Sequence, residues 1–279
     1  MDHLTRESAI SKTIKKIALI LFALAVLMPV SIVILASFKQ MADLFEDPLG
    51  WPKQLTLQNY SQMFGETALV QYFMNSVIVT LLTVLSILFF SSLMSYAIYR
   101  FTGWTAVVLY GLFATGMMVP AQVNMIPIYA LISDLGLTNS LTGLIAVSIS
   151  VFMPVAVFIL SGFMKSMPKE MIEAASIDGA SEWITFSRVV LPISMPSISA
   201  AAIFLCVMVW NDLLFPLLLI NSDEKKTLPL ALLQFQGEFM TNFPIIFAGV
   251  IIASAPMVIA YVLLQRYFVE GVTAGSVKG

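Results

Sequence analysis

Residues 173–196 read EAASIDGASEWITFSRVVLPISMP, and the layout of the chain turns on them. The stretch holds Glu173, Asp178, Glu182 and Arg188, a glycine and two prolines. It separates two runs that are almost wholly apolar, Leu141–Phe163 and Ser197–Ile220. Each run is long enough to cross a bilayer as a helix, which takes about 20 residues. Charged groups are costly in hydrocarbon, so a polar elbow between two such runs belongs at a membrane surface.

Four more apolar stretches extend the pattern outward: Ile17–Phe38, Phe73–Tyr99, Trp104–Ile132 and Pro244–Leu264. Leu, Ile, Val, Phe and Met surround each of them on all sides, the pattern of a span and not of an amphipathic surface helix. Composition agrees. Hydrophobic residues make up 59% of the chain and charged residues 11%, against about 25% charged in a soluble domain. Mean hydropathy is +0.94. The expected fold is an all-α polytopic membrane protein, one transmembrane domain over 1–279 with six transmembrane helices and a polar loop at 166–192. Pro29, Pro120, Pro127, Pro154, Pro216 and Pro256 fall inside the runs, so kinks are expected there. The first run follows Lys12, Lys15 and Lys16, as a signal peptide would, but its 22 residues exceed the roughly 7–15 of a signal core. It is read as a retained first helix.

The residue inventory excludes several kinds of chemistry. Cys206 is the sole cysteine and His3 the sole histidine, so no His/Cys metal site and no Ser/His/Asp triad is expected. No Walker nucleotide loop is present. A net charge of −2, without a basic patch carrying interleaved aromatics, gives nucleic-acid binding no support. The chain is not expected to be an enzyme: no catalytic and no metal residues are assigned.

Orientation follows from the basic residues. With the N-terminus inside, the inner segments hold Arg6, Lys12, Lys15, Lys16, Arg100, Lys165, Lys169, Arg188, Arg266 and Lys278. The outer segments hold Lys39, Lys53, Lys225 and Lys226. The positive-inside rule then places both termini and the elbow in the cytoplasm. The loops at 39–72 and 221–243 face outward, with Asp43, Glu46, Asp47, Glu66, Asp223, Glu224 and Glu238. The two halves share no visible repeat.

Within the elbow, Met167-Pro168 opens a helix with proline at its first position, and Glu170 and Glu173 complement its dipole. Gly179 suits a left-handed C-terminal cap. Ser181 caps a second short helix with Glu182 just inside it. Trp183, Phe186 and Val190 give that helix one apolar face, and Leu191-Pro192 ends it. From these features alone the bland readings, a helix pair lying in the lipid interface or an ordinary polar loop, stand ahead of a docking element.

The spacing of these residues resembles the EAA motif of ATP-binding-cassette (ABC) importer permeases: E-A-A, three residues, Gly, nine residues, Ile-x-Leu-Pro. Glu173, Ala174, Ala175, Gly179, Leu191 and Pro192 match, with Asp178 beside the glycine and Val189 in place of Ile. In that family the loop is a coupling helix that docks in a groove of an ATPase subunit. The resemblance therefore implies ATPase-coupling roles for Glu173, Ala174, Ala175, Asp178, Gly179, Leu191 and Pro192. A bulky residue at Gly179 is expected to disturb the turn and uncouple ATPase from uptake. The C-terminal QRYFVEGVTAGSVKG, Ser37-Phe38-Lys39, Gln58-Asn59-Tyr60 and Trp210-Asn211 are similar to the second permease subunit of maltose-type carbohydrate importers. That likeness implies a contact of the tail, Glu270–Gly279, with the ATPase. It also implies a bacterial cytoplasmic membrane, a second permease as heterodimer partner, an ABC ATPase dimer and an extracytoplasmic solute-binding protein. ATP and Mg would be used by the ATPase, with no cofactor bound by this chain.

Polar residues near the spans are candidates for the substrate path: Asn75, Gln122, Asn124, Asn211 and Asp212. Asp212 is the only acid inside a predicted span, and a charge at such depth faces a cavity or a partner. A helix–helix hydrogen bond explains it equally well. Gln122 and Asn124 lie between Pro120 and Pro127, where backbone carbonyls lose partners. Ser91, Ser92 and Ser95 are read as packing residues. In the resembling family most sugar contacts can lie on only one permease of a pair. The rivals are a permease for a non-sugar solute and an ion-coupled secondary transporter. The latter would need more intramembrane ionisable groups than Asp212.

Overall fold

The computed structural model describes residues 9–66, 68–235 and 242–276. Arg6 and Lys278 of the inner basic set, His3, Glu238 of the outer loop and the tail's last residues, 277–279, lie outside the described residues. Among those described the chain is all-α, without strands. Five helical stretches are long and apolar enough to cross a membrane: 12–37, 69–100, 141–165, 182–210 and 243–263. A bent pair, 104–118 with 121–134, makes a sixth where the two helices are counted as one span.

The chain divides into two units. The first comprises 1–67 and 234–252. It contains α1 (Ala9–Ser37), α2 (Met41–Glu46), α3 (Gln58–Glu66) and the start of the last helix. Phe22 and Leu19 of α1 are 70% and 67% exposed, as expected of a helix whose solvent is lipid. Beyond it, Asn59 donates to the carbonyls of Ser37 and Lys39 at 2.8 and 2.9 Å. The Ser37 and Tyr60 hydroxyls lie 2.8 Å apart, and the Phe38 and Tyr60 rings sit at 5.2 Å. Lys39 is wholly buried and donates to the Asp47 carbonyl at 2.6 Å. Ser37-Phe38-Lys39 and Gln58-Asn59-Tyr60 thus include the two sides of one knot. Lys53 nearby is paired with Glu46, whose hydrogen bond and charge raise the lysine above its ordinary pKa.

The second unit comprises 68–233 and 253–279. Its helices are α4 (Leu69–Arg100), α5 (Trp104–Met118), α6 (Met125–Asp134), α7 (Leu141–Lys165), α8 (Lys169–Ile177), α9 (Glu182–Thr185), α10 (Leu191–Trp210), α11 (Leu214–Leu219) and α12 (Leu228–Leu232). The final helix, α13 (Phe243–Ser276), runs from the first unit into the second. The spine of this unit is α4 against α7. Lipid gives helices no hydrophobic reason to associate, so close approach depends on small residues and buried polar contacts. Ser76, Thr80, Thr83, Ser91, Ser92 and Ser95 are buried on α4. Ser95 donates to the Val157 carbonyl at 3.3 Å and accepts from Ser161 at 3.2 Å. The serines thus pack, as read from their small size.

Two stretches differ in degree or in kind from the sequence reading. The run 104–132 bends at Pro120, where the sequence predicts a kink, but sharply: α5 and the segment 121–134 meet at 89°. Pro120 is the cause. It lacks an N–H and pushes its predecessor out of helical geometry, and Val119 is extended at φ −89°, ψ 115°. The second departure is at Leu191-Pro192, which does not end the elbow's second helix. Residues 186–190 form a π turn in which the Leu191 N–H reaches the Phe186 carbonyl, and the helix continues into α10. The wider turn seats the proline in the first turn of the next helix, where it is tolerated. The break comes instead at 211–213, before α11.

Gly143, in the first turn of α7, is a point of close approach. A Cβ there would collide with the Leu137 carbonyl and lie 3.1 Å from the Ser140 hydroxyl that caps the helix. Gly162 of the same helix has open space around it. Gly143→Ala is expected to cost about 1–3 kcal/mol, the usual cost of overpacking. Gly162→Ala should cost nothing. Thermal unfolding of the detergent-solubilised protein checks the difference, and equal midpoints would refute it.

Candidate functional site

The elbow is two short helices joined by a turn that local chemistry specifies. Pro168 sits one residue before α8, as its cap, and not at the first helical position. At the other end the Ala180 N–H reaches the Ala175 carbonyl at 3.0 Å, and the Gly179 N–H reaches Ser176 at 3.1 Å. This double closure requires a left-handed residue, and Gly179 has φ +78°. Ser181 accepts from the Ile184 N–H at 3.4 Å, capping α9, with Glu182 in its first turn.

The underside of the elbow is fixed to α4. Ile172, Phe186 and Val190 are buried in a cluster with Tyr96, Met164 and Met167. The Tyr96 hydroxyl donates to Glu182 Oε2 at 2.5 Å. Arg100 Nε donates to the same carboxylate at 3.0 and 3.2 Å, and its Nη2 completes a two-pronged ion pair. Tyr99 donates to the Met167 carbonyl at 3.2 Å. Sequence reasoning missed this clasp. Its signal was an arginine closing a span with tyrosines at one and four residues before it.

The upper face is bare. Glu173, Ala174, Asp178 and Gly179 are exposed, and Ala175 is half-buried. Ile177 is 86% exposed and Trp183 60%. Trp183 therefore does not share the buried face of Phe186 and Val190, though its ring lies 5.7 Å from that of Phe186. Leu191 and Pro192 stand apart at the start of α10. Leu191 packs on the cluster beneath the elbow, and Pro192 is exposed.

Three of the substrate-path candidates, Asn75, Asn211 and Asp212, have hydrogen-bond partners of their own. Asn75 donates to the carbonyls of Glu224 and Lys226, both at 2.9 Å. Gln122 and Asn124 lie in the short 3-10 turn at the 89° bend, the first exposed and the second half-buried. Asn211 is exposed and donates back to the Val207 carbonyl at 2.8 Å. Asp212 lies in the break before α11, whose Leu214 N–H donates to its Oδ1 at 3.1 Å, while its buried Oδ2 has no hydrogen-bond partner among the described residues. Trp210, beside them, donates to the Ala253 carbonyl at 2.9 Å and meets Phe73 edge-on.

Comparison with known proteins accords with this layout. The chain is 32% identical to the probable ABC transporter permease YurM of Bacillus subtilis, over its whole length and 92% of the relative. It is 31% identical to the melibiose/raffinose/stachyose import permease MelC of the same organism, covering 98% and 99%. It is 35% identical to the arabinooligosaccharides transport permease AraQ of Halalkalibacterium halodurans, covering 90% and 91%. Its fold is similar to a chain in the crystal structure of a bacterial ABC transporter involved in alginate import. There the TM-score is 0.78 at 20% identity, over 96% of this chain and all of that one. The family described as binding-protein-dependent transport system inner membrane component matches residues 87–274, and the chain belongs to that family of ABC transporter permeases.

Proposed function

We propose that this permease carries a carbohydrate inward across a bacterial cytoplasmic membrane, powered by ATP that a separate subunit hydrolyses. The observation that carries the reading is the elbow, a rigid turn with a fixed underside and a bare, partly apolar upper face. Such an element transmits force only if a partner holds it. The partner is an ABC ATPase dimer, docked at Glu173–Gly179 and using ATP with Mg. Leu191 and Pro192 support the docked turn from the start of α10. A second permease completes the path as a heterodimer, with Gln122, Asn124, Asn211 and Asp212 beside it and Asn75 bracing its outer rim. A solute-binding protein delivers substrate to the outer loop at 221–243. Both termini and the elbow are cytoplasmic, by the excess of inner basic residues, and the tail from Glu270 reaches the ATPase. ATP drives transport by binding one conformer of the assembly better than the other.

Carbohydrate is favoured by the relatives, whose names give melibiose, raffinose and stachyose, and arabinooligosaccharides. The alginate transporter has also been seen with a periplasmic protein carrying an alginate pentasaccharide.

Purification of the tagged chain from its native membrane tests the assembly. The expected result is co-elution of an ATPase and a second permease, with ATP-dependent uptake of one of raffinose, stachyose or arabinooligosaccharides by the reconstituted complex. Uptake by the lone chain, driven by an ion gradient, would refute it. A cysteine placed at Ile177 should react with a membrane-impermeant maleimide in inside-out vesicles and not in right-side-out ones. The reverse would refute the orientation.

A further inference from the structure

The elbow's clasp is one of two grips on the same helix. At the far end of α4, the Tyr72 hydroxyl donates to Asp223 Oδ2 at 2.6 Å. Gln71 donates to the Glu224 carbonyl at 2.9 Å, as Asn75 does. The Ser76 hydroxyl accepts from the Leu228 N–H at 2.8 Å. One face of α4 thus holds the whole strip 223–228. Asn139, left-handed at φ +50° in the turn before α7, pins the same strip from the other side. Its Oδ1 accepts from the Ser222 N–H at 3.0 Å, and its carbonyl accepts from Lys225 Nζ at 2.7 Å.

Asn75 and Tyr96 are 21 positions apart, roughly 32 Å along a helix. That is about the thickness of the hydrocarbon core. Between the two grips α4 is held against α7 by the Ser95–Ser161 contact and the buried small residues. A helix gripped at both ends and packed along its middle moves as a rigid element. The strip 223–228 is the opening part of the outer loop at 221–243.

From this geometry we infer that α4 is a connecting rod: it carries displacement of the elbow to the outer strip 223–228, and Glu182, with Arg100 and Tyr96, is the positioning pin at its inner end. This rests on the ATPase-coupled reading above. The pin stabilises little by itself, because solvent screens an ion pair this exposed. Its work is geometric. Two oxygens of one carboxylate meet a guanidinium and a phenol, which fixes the position of α9 on α4.

Cys206 is the only native thiol, so a Cys206→Ser background allows single reporters. Lys169→Cys reports on the elbow and Glu224→Cys on the outer strip, both at exposed positions. The probe is maleimide labelling of the reconstituted complex with and without AMP-PNP and Mg. With the rod intact, AMP-PNP should change the labelling of both reporters. Glu182→Ala should keep the elbow change and lose the outer one. Exchanging the charges, Arg100→Glu with Glu182→Arg, should restore it. Asn75→Leu, far from the elbow, should give the same selective loss. An outer change of wild-type size in Glu182→Ala or in Asn75→Leu would overturn the proposal. So would loss of both changes in Glu182→Ala, which would make the pin a local folding element. If neither reporter responds in the unmodified complex, the coupling reading itself fails.

Discussion

Gly179→Val is expected to abolish uptake while the chain still inserts, pairs and folds. Gly179 sits at φ +78° with both closing hydrogen bonds of α8 depending on that angle. An L-residue there costs about 1–2 kcal/mol, and a β-branched side chain costs more, because its branch crowds the backbone. Among the described residues beyond its chain neighbours, nothing lies within 4 Å of where a Cβ would be, so the damage stays in the turn. The cheapest relief is to let the turn go, which redirects Ile177 relative to Trp183. A loss of about 2 kcal/mol in the docking geometry is roughly thirtyfold in affinity. Gly179→Asn separates two causes, since asparagine tolerates the left-handed region. Recovery with Asn would show that the angle matters. Failure with Asn would show that the partner needs a surface without a side chain. Uptake by Gly179→Val at the wild-type rate would remove the elbow from the coupling mechanism.

What the sequence made legible was local. The apolar runs stand out because lipid demands a side-chain chemistry that no other solvent does. The turn at Gly179 and the cap at Ser181 were readable because both conditions involve residues fewer than six positions apart. Pro120 marked a bend, but not its 89°, because the angle depends on what α6 packs against. Pro192 misled for the opposite reason. A proline normally closes a helix, and the π turn that lets this one pass follows from the packing of Phe186 and Val190 against Tyr96. The clasp between Arg100 and Glu182 joins residues 82 positions apart, and Asn75 meets Glu224 across 149. No spacing rule reaches so far. Asn75 is legible in the sequence only as a polar candidate for the path, because its partners are the backbone carbonyls of Glu224 and Lys226, which carry no sequence signature.

Ile177→Glu should have the other large effect, releasing the ATPase from an otherwise intact permease. Ile177 is the most exposed large apolar residue in the elbow, at 86%, with Trp183 at 60% and Ile184 at 41% beside it in the second short helix. Single exposed apolar residues need no explanation, but several in one rigid turn mark an interaction surface. Tryptophan is the side chain most enriched where binding energy concentrates, and truncating such a residue typically costs 2 kcal/mol or more. A carboxylate at 177 would be buried against the partner without a counter-charge, which is costlier than losing the contact. The expected result is a fall of at least about thirtyfold in ATPase affinity for Ile177→Glu, and a comparable one for Trp183→Ala. Both are read as ATPase retained on the tagged permease through a wash series. The same surface would also suit an elbow lying on lipid, and the two cases part here. Lipid contact predicts that Ile177→Glu loosens the elbow from the bilayer and leaves ATPase retention unchanged. Docking predicts loss of the ATPase with the Arg100–Glu182 clasp still formed beneath, because that grip faces α4 and shares no atom with the bare face.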